Sequence, residues 1–380
     1  MKIKFLLAIV LLAVISCNNP DTTENTTPKQ ENNKIKVAVF KGNGAGAVSV
    51  IETIEALRID SGIQAEAISA TEIQAGKLSE YDALVFPGGS GSKELNNLGK
   101  TGKTIVSDFI KNQGKGIVGI CAGGYLLSST SGYPNLQLCS AVHLDRAHYN
   151  RGRGLMEFAL TKSGKAIFPE LGDQRLFLQY YDGPVLAHSD STTGDYEDMA
   201  RFVSDIHPDN FAPEGITPGQ TFWLTEKVGK GKLFITAGHP ESTPGMRWVV
   251  ARMVRLVCDK ELISYNAQWI RPEINDTSIF FTREMRKFEK ETFWKLFSDD
   301  AEVQIQAMDT LYALRSRPAV RWYMGLLRDE NAETRKHAAY LLRLTEYSYA
   351  IPDLKEAISI EKNTGVKQEM QKSLDFLISR

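Results

Sequence analysis

Cysteine is scarce in this chain, with four in 380 residues, at positions 17, 121, 139 and 258. The three beyond position 17 cannot all pair with one another, which excludes a folded part whose cysteines are all joined internally. A Cys139–Cys258 disulfide is compatible with the sequence but not required by it. An excess of either charge is also missing: the net charge is −1 and 24% of residues are charged, as in an ordinary globular protein. Nucleic-acid binding usually needs a basic face, so no such partner is expected. Histidine is limited to six residues; His143 and His148 are not spaced for a metal, and no strong zinc signature is present.

The amino terminus reads "MKIKFLLAIVLLAVISC". Its apolar run, Phe5 to Ile15, is too short to cross a bilayer as a helix and reads as the core of a signal peptide. A small residue, Ser16, directly before Cys17 resembles the bacterial lipoprotein processing site. That resemblance implies that residues 1–17 form a signal ending in a lipidated Cys17, whose several acyl chains would anchor the protein stably. A plain secretory signal is the competing reading. Asn18 to Asn33 contains no aliphatic or aromatic residue, so residues 18–34 are expected to be a disordered tether. The expected location is the cell envelope, on a membrane and outside the cytoplasm.

Residues 35–265 alternate short apolar runs with amphipathic stretches. "IKVAVF", "YDALVF" and "GIVGIC" read as buried strands, while "SVIETIEALRIDSG" and "KTIVSDFIKNQGKG" read as helices stopped by glycine. This alternation predicts an α/β fold with a parallel sheet covered by helices on both faces. Ligands sit at the carboxyl ends of such strands, where Gly88, Gly89 and Cys121 fall. Residues 266–380 are helical in pattern and poor in glycine. "DDAEVQIQAMDTLYAL" and "DENAETRKHAAYLLRL" align there, with their Ala-Glu pairs 31 residues apart. "EKNTGVKQEMQKSLDFLI" is a degenerate third copy at similar spacing. The pattern resembles a short HEAT-like array, suited to a protein partner; a generic helical bundle is the alternative.

The chemistry-bearing residues lie in the first region. "GICAG", Gly119 to Gly123, has the form of a nucleophile elbow, in which a strand turns sharply into a helix and exposes Cys121 at the apex. The following helix is expected to favour the thiolate. The amide of Ala122, with one from Gly88 or Gly89, is placed to form an oxyanion site. "GKLFITAGHPES" puts His239 at the end of an apolar run, two residues before Glu241. With Pro240 between them, an extended backbone would project both side chains to one side, so that Glu241 orients the imidazole. A buried core cysteine and a structural strand-end histidine are the bland readings of the same residues.

Taken together, the elbow cysteine, the distant His-Pro-Glu and "PGG" at Pro87 to Gly89 resemble class I glutamine amidotransferase-like domains. Within that group, "FKGNGAGAVSVIETIEALR", "YDALVFPGG", "GICAGGYLL" and "YYDGPVL" are most similar to the amino-terminal domain of fungal biotin-protein ligases and its stand-alone bacterial relatives. The resemblance implies a flavodoxin-like sheet and a triad of Cys121, His239 and Glu241. The ligase's own catalytic domain has no counterpart here, so biotin transfer is not implied.

Weaker signals surround this set. "DRAHYNRGRG" gathers Arg146, Arg151 and Arg153, which could hold a substrate carboxylate or simply face solvent. Tyr181 and Asp182 precede a turn and are candidates for the same pocket. "GNGAG" at Gly42 to Gly46 is not a dinucleotide fingerprint, and no cofactor is expected. Two functions fit the sequence: a lipid-anchored, cysteine-dependent amide hydrolase, or a non-catalytic module that binds a small molecule or peptide and docks a partner through its helical tail.

Overall fold

Strand β1 (Ile35–Phe40) opens an alternating series with α1 (Ala47–Leu57), β2 (Ile63–Ile68), α2 (Ala70–Gln74), β3 (Ala83–Phe86), α3 (Gly91–Lys111), β4 (Gly116–Ile120) and α4 (Ala122–Leu127). The computed structural model describes residues 34–189 and 195–379, so the expected signal, Cys17 and the tether up to Asn33 lie outside the described residues. Residues β3 "ALVF" and β4 "GIVGI" are buried throughout, as strands covered on both faces must be. Their alternating side chains feed two cores. Val37, Val39, Val85 and Val118 face α1 and the later helix α6, while Ala38, Phe40, Leu84 and Ile117 face α3 and α4.

The chain continues through β5 (Val142–His143), β6 (Arg153–Leu160), α5 (Lys162–Ile167), β7 (Leu176–Tyr181), β8 (Leu186–Ala187), β9 (Glu197–Phe202), β10 (Thr221–Val228), β11 (Gly231–Thr236) and α6 (Trp248–Val257). Strands β2, β1, β3, β4 and β11 lie side by side in parallel, as the alternation predicts. From β11 outward the sheet becomes antiparallel, through β10, β9, β6 and β7. The switch is local: Gly229 and Lys230 close a tight hairpin between β10 and β11, which forces those two strands to run in opposite directions. Because β1, β3, β4 and β11 are parallel, the segments that follow them emerge at one sheet edge.

After the short strand β12 (Ile279–Phe280), the chain is helical: α7 (Arg283–Lys295), α8 (Ala301–Ala313), α9 (Ala319–Leu326), α10 (Ala332–Leu344), α11 (Ile351–Ile360) and α12 (Thr364–Ile378). Asp300, Asn331 and Asn363 cap α8, α10 and α12, each accepting a hydrogen bond from the first helical turn. These helices enclose a core of their own around Met308, Leu311, Tyr323, Leu342 and Met370. Residues from Lys34 onward cluster as one compact unit, and buried polar contacts join its two parts. Ser348 donates to Glu55 at 2.9 Å, Gln179 donates to the Arg315 carbonyl at 2.8 Å, and the Gly245 amide donates to Glu346 at 2.9 Å.

Candidate functional site

Cys121 stands between β4 and α4 with φ 51° and ψ −99°, a conformation that costs a non-glycine residue energy and turns the chain abruptly. Its neighbours allow the turn because they lack side chains. A Cβ on Gly119 would lie 2.7 Å from Leu127 and 2.8 Å from the Gly123 backbone, and one on Gly123 would collide with the Phe86 carbonyl. The expected strand–turn–helix is therefore present, packed against the end of β3.

The electrostatics differ from the expectation. Burial, reinforced by the nearby Glu241 charge, pushes the Cys121 thiol up to about 12, against smaller opposing effects of Arg317 and the Ala122 amide. Helix α4 has only six residues, too few to outweigh desolvation. At rest the group is a neutral thiol, and it donates to the Tyr181 carbonyl at 3.3 Å.

His239 and Glu241 do meet. Nδ1 of His239 lies 2.7 Å from Oε1 of Glu241, and both side chains are buried. The route differs from the extended backbone predicted: Pro240–Ser242 form a short 3₁₀ turn, which brings position i+2 back toward the ring. The carboxylate holds the ring at Nδ1, which the Arg317 guanidinium also approaches to 3.4 Å. Nε2 is buried and has no hydrogen-bond partner among the described residues. Burial raises the Glu241 carboxyl, but the charges of His239 and Arg317 and hydrogen bonds from His239 and Ser49 outweigh it and hold it below the usual range.

Three residues that the sequence reading missed complete this arrangement. The Ser49 hydroxyl donates to Glu241 Oε1 at 2.9 Å and accepts from the Gly88 amide at 2.9 Å. Arg317, from the segment between α8 and α9, lies 2.7 Å from Glu52 and 3.5 Å from Glu241. No local motif announces Ser49, Glu52 or Arg317, because their partners are distant in sequence. A side chain at Gly88 would place its Cβ 2.5 Å from the His239 ring. The Gly88 amide is thus committed to Ser49, whereas Gly89 and Ala122 line the cleft beside Cys121, with the Ala122 amide directed at the sulfur.

Cys121, His239, Ser49 and Arg317 line one cleft of about 780 Å³ with Gly88, Gly89, Ala122, Tyr181, Asp182 and Arg153, whereas Glu241 and Glu52 are not part of its lining. Of the three arginines singled out earlier, only Arg153 is there, and it pairs with Asp182 at 3.1 Å. Arg151 is buried against Asp145 and the Ile206 carbonyl, holding the loop, and Arg146 is exposed beside Gly132. Cys121, Cys139 and Cys258 are all free thiols, so Cys139 and Cys258 do not pair here. Among the described residues one set of possible metal ligands lies within 4.8 Å, Asp205, His207 and Glu214. Asp205 already accepts from the Gly215 amide and the Thr217 hydroxyl, and none of the three lines the Cys121 cleft.

Residues 35–261 match the family described as "Biotin-protein ligase, N terminal". No curated protein matches the chain. Among solved structures, a ThuA-like protein from Parabacteroides merdae is similar at 11% identity and TM-score 0.44, over 62% of this chain and 99% of that one. A beta-galactosidase from Bacillus circulans is similar at 16% identity and TM-score 0.35, over 63% of this chain and 32% of that one. A cytoplasmic protein from Salmonella typhimurium is similar at 16% identity and TM-score 0.36, over 58% and 97% of the two chains. Nothing about activity follows from likenesses of this size.

Proposed function

Because the chain belongs to the biotin-protein ligase N-terminal family over residues 35–261, we propose that it is a glutamine amidotransferase-like, cysteine-dependent hydrolase of an amide or related acyl bond. One observation carries this reading: a strained, apical Cys121 shares a cleft with a buried His239 whose Nδ1 is held by Glu241 and whose Nε2 is free.

In this reading Cys121 attacks the substrate carbonyl as its proton passes to Nε2 of His239, so the charge separation that burial opposes at rest arises only with substrate present. The carbonyl oxygen becomes an oxyanion held by the Ala122 and Gly89 amides. Collapse breaks the C–N bond, and the imidazolium returns its proton to the leaving amine. Water, deprotonated by His239, then cleaves the thioester and regenerates the thiol. Glu241 stabilises the imidazolium at each stage, and Ser49 fixes the carboxylate.

A second reading has an observation of its own. The thiol donates to the Tyr181 carbonyl, and burial pushes it up to about 12, which suits a binding cleft that has lost turnover. Alkylation by iodoacetamide separates the two. Because the proton leaves the sulfur only as it attacks, the hydrolase reading expects alkylation of Cys121 to depend on the imidazole and to slow several-fold in His239→Ala. A rate that His239→Ala leaves unaltered would leave the binding reading. We also propose that Cys17 carries the lipid and holds the protein at the cell envelope, with the helical region free to meet a partner. Mass spectrometry should find an acylated cysteine at the mature amino terminus, and an unmodified one would refute the anchor.

A further inference from the structure

The Cys121 cleft carries an aromatic wall that the reaction steps leave unused. Tyr125, Tyr133 and Tyr149 all line it, and their ring centres lie 5.4 to 5.5 Å apart in every pairing. Tyr125 follows Cys121 by one turn of α4, its amide donating to the Cys121 carbonyl at 3.4 Å. Its hydroxyl donates to the Asp182 carbonyl at 3.1 Å, and the neighbouring Tyr181 carbonyl accepts from the Cys121 thiol. The wall and the sulfur are thus fixed to the same corner of the chain. The Tyr133 hydroxyl accepts from the Ser92 amide at 3.1 Å, which ties the second ring to the start of α3. Tyr133 and Tyr149 are half-buried, so ring surface remains open.

His143 backs the wall, its ring stacked on Tyr149 at 5.1 Å and edge-on to Tyr125 at 4.9 Å. Both of its nitrogens are occupied: Nδ1 accepts from the Val185 amide at 3.0 Å, so the Nε2 proton donates to the Asp145 carbonyl at 2.8 Å. Burial pushes this imidazole down to about 4, so at neutral pH the wall carries no charge. Such a surface suits an uncharged planar ring, which gains both buried area and offset or edge-to-face contacts. Sugar rings also lie on tyrosines, but their hydroxyls call for carboxylates or amides. Asp182, the one carboxylate lining the cleft, already accepts from the Gly152 amide and Arg153, and Asn150, the one amide side chain there, is exposed.

We propose that the cleft selects an amide or related acyl compound bearing an aromatic ring close to the scissile bond, with Tyr149 and Tyr133 setting this preference. The proposal rests on the cysteine reading above for the bond that is cleaved, but the preference for a ring can be measured apart from turnover.

The experiment compares alkylation of Cys121 in the full-length protein by N-benzyliodoacetamide, N-butyliodoacetamide, N-iodoacetylglucosamine and iodoacetamide itself, with the site of labelling read by mass spectrometry. All of them lose iodide from the same iodoacetamide group and differ only in what the nitrogen carries. Even a weakly reactive thiol is labelled in time at alkaline pH. The absolute iodoacetamide rate and its dependence on His239 report the nucleophile, whereas the ratios to iodoacetamide report the wall. Normalised to the denatured chain, the benzyl ratio is expected to be raised about five- to tenfold, with the butyl and sugar ratios within about twofold of one. Tyr149→Leu, which keeps apolar bulk but not the ring, should lower the benzyl ratio several-fold, while Tyr149→Phe should retain it. Each ratio is taken within one variant, so a change in the thiol itself cancels, and thermal melting checks that both variants fold. A benzyl ratio near one, a butyl or sugar ratio that matches or exceeds it, or a benzyl ratio that Tyr149→Leu leaves unaltered would overturn the proposal even if Cys121 proves a fast nucleophile.

Discussion

Arg317 and Glu52 form a 2.7 Å ion pair between residues 265 positions apart, one beside α9 and the other in α1. Both are largely buried, and the same guanidinium reaches Glu241 at 3.5 Å. Removing it leaves Glu52 with only the Ser242 hydroxyl, at 2.6 Å, and takes from Glu241 one of its two cations. Arg317→Met is therefore expected to cost about 3–5 kcal/mol of unfolding free energy, the range for breaking a buried pair from one side. Arg317→Met combined with Glu52→Gln should recover part of that loss, since the Glu52 charge is then removed. Urea unfolding of the wild type, both single variants and the double variant at neutral pH gives the coupling. Strictly additive losses would show that the two side chains do not support one another.

The strained backbone at Cys121 gives a second expectation. Its φ of 51° lies where glycine is at ease and other residues are not. With the sulfur removed in both variants, Cys121→Gly should be more stable than Cys121→Ala by about 1 kcal/mol, although glycine ordinarily costs stability through the unfolded chain. The comparison is made by thermal or urea unfolding. If alanine is the more stable of the two, the turn is not strained and the elbow geometry is wrong.

How much of this was legible in the sequence depends on how far each partner lies along the chain. The parallel strands were readable because uninterrupted apolar runs such as "ALVF" leave no solvent face. The turn at Cys121, the strand end at His239 and the glycine turn at Gly88 and Gly89 were readable because elbow, strand end and turn are local signals. The antiparallel half of the sheet was not anticipated: β9 and β10 carry mixed polar and apolar residues, and their direction is decided by a hairpin rather than by composition. Arg317 was invisible for a different reason. In "RSRP" it looks like a solvated turn residue, and only the packing of the helical region on α1 brings it to Glu52. Arg151 fits neither role open to it in the sequence, a carboxylate-binding or a solvated group, because it is buried against Asp145 and the Ile206 carbonyl.

Glu94, in α3, supplies a pH dependence. Its carboxyl is buried, neither oxygen has a hydrogen-bond partner among the described residues, and burial pushes it up to about 8 from an ordinary 4.5. The folded protein thus holds a proton that the unfolded chain releases. Its contribution is fully present below pH 4.5 and is lost as the pH rises through 8. Glu94→Gln, which cannot ionise, should gain on the wild type by up to roughly 1.4 kcal/mol per pH unit across that window. Unfolding free energies of the two proteins at acid and alkaline pH measure the gain. Parallel pH curves would show that Glu94 ionises as freely in the fold as outside it.

Ser49 should act in the opposite direction on the pH scale. Its hydroxyl donates to Glu241 and accepts from Gly88, so Ser49→Ala leaves a buried amide unpaired and removes one support of a carboxylate held below its usual range. The loss is expected to be about 1–3 kcal/mol at neutral pH, the penalty for an unsatisfied buried polar group. The Glu241 part of that loss carries a sign. Because the folded carboxyl is depressed, its stabilisation is present above the ordinary value of 4.5 and disappears as the pH falls through the folded value. Weakening the depression therefore hurts most at neutral pH, and the gap between wild type and Ser49→Ala should narrow on acidification. Unfolding measured from neutral pH down to roughly pH 3 decides the matter. A gap that stays constant would assign the whole effect to the Gly88 amide and remove Ser49 from the support of Glu241.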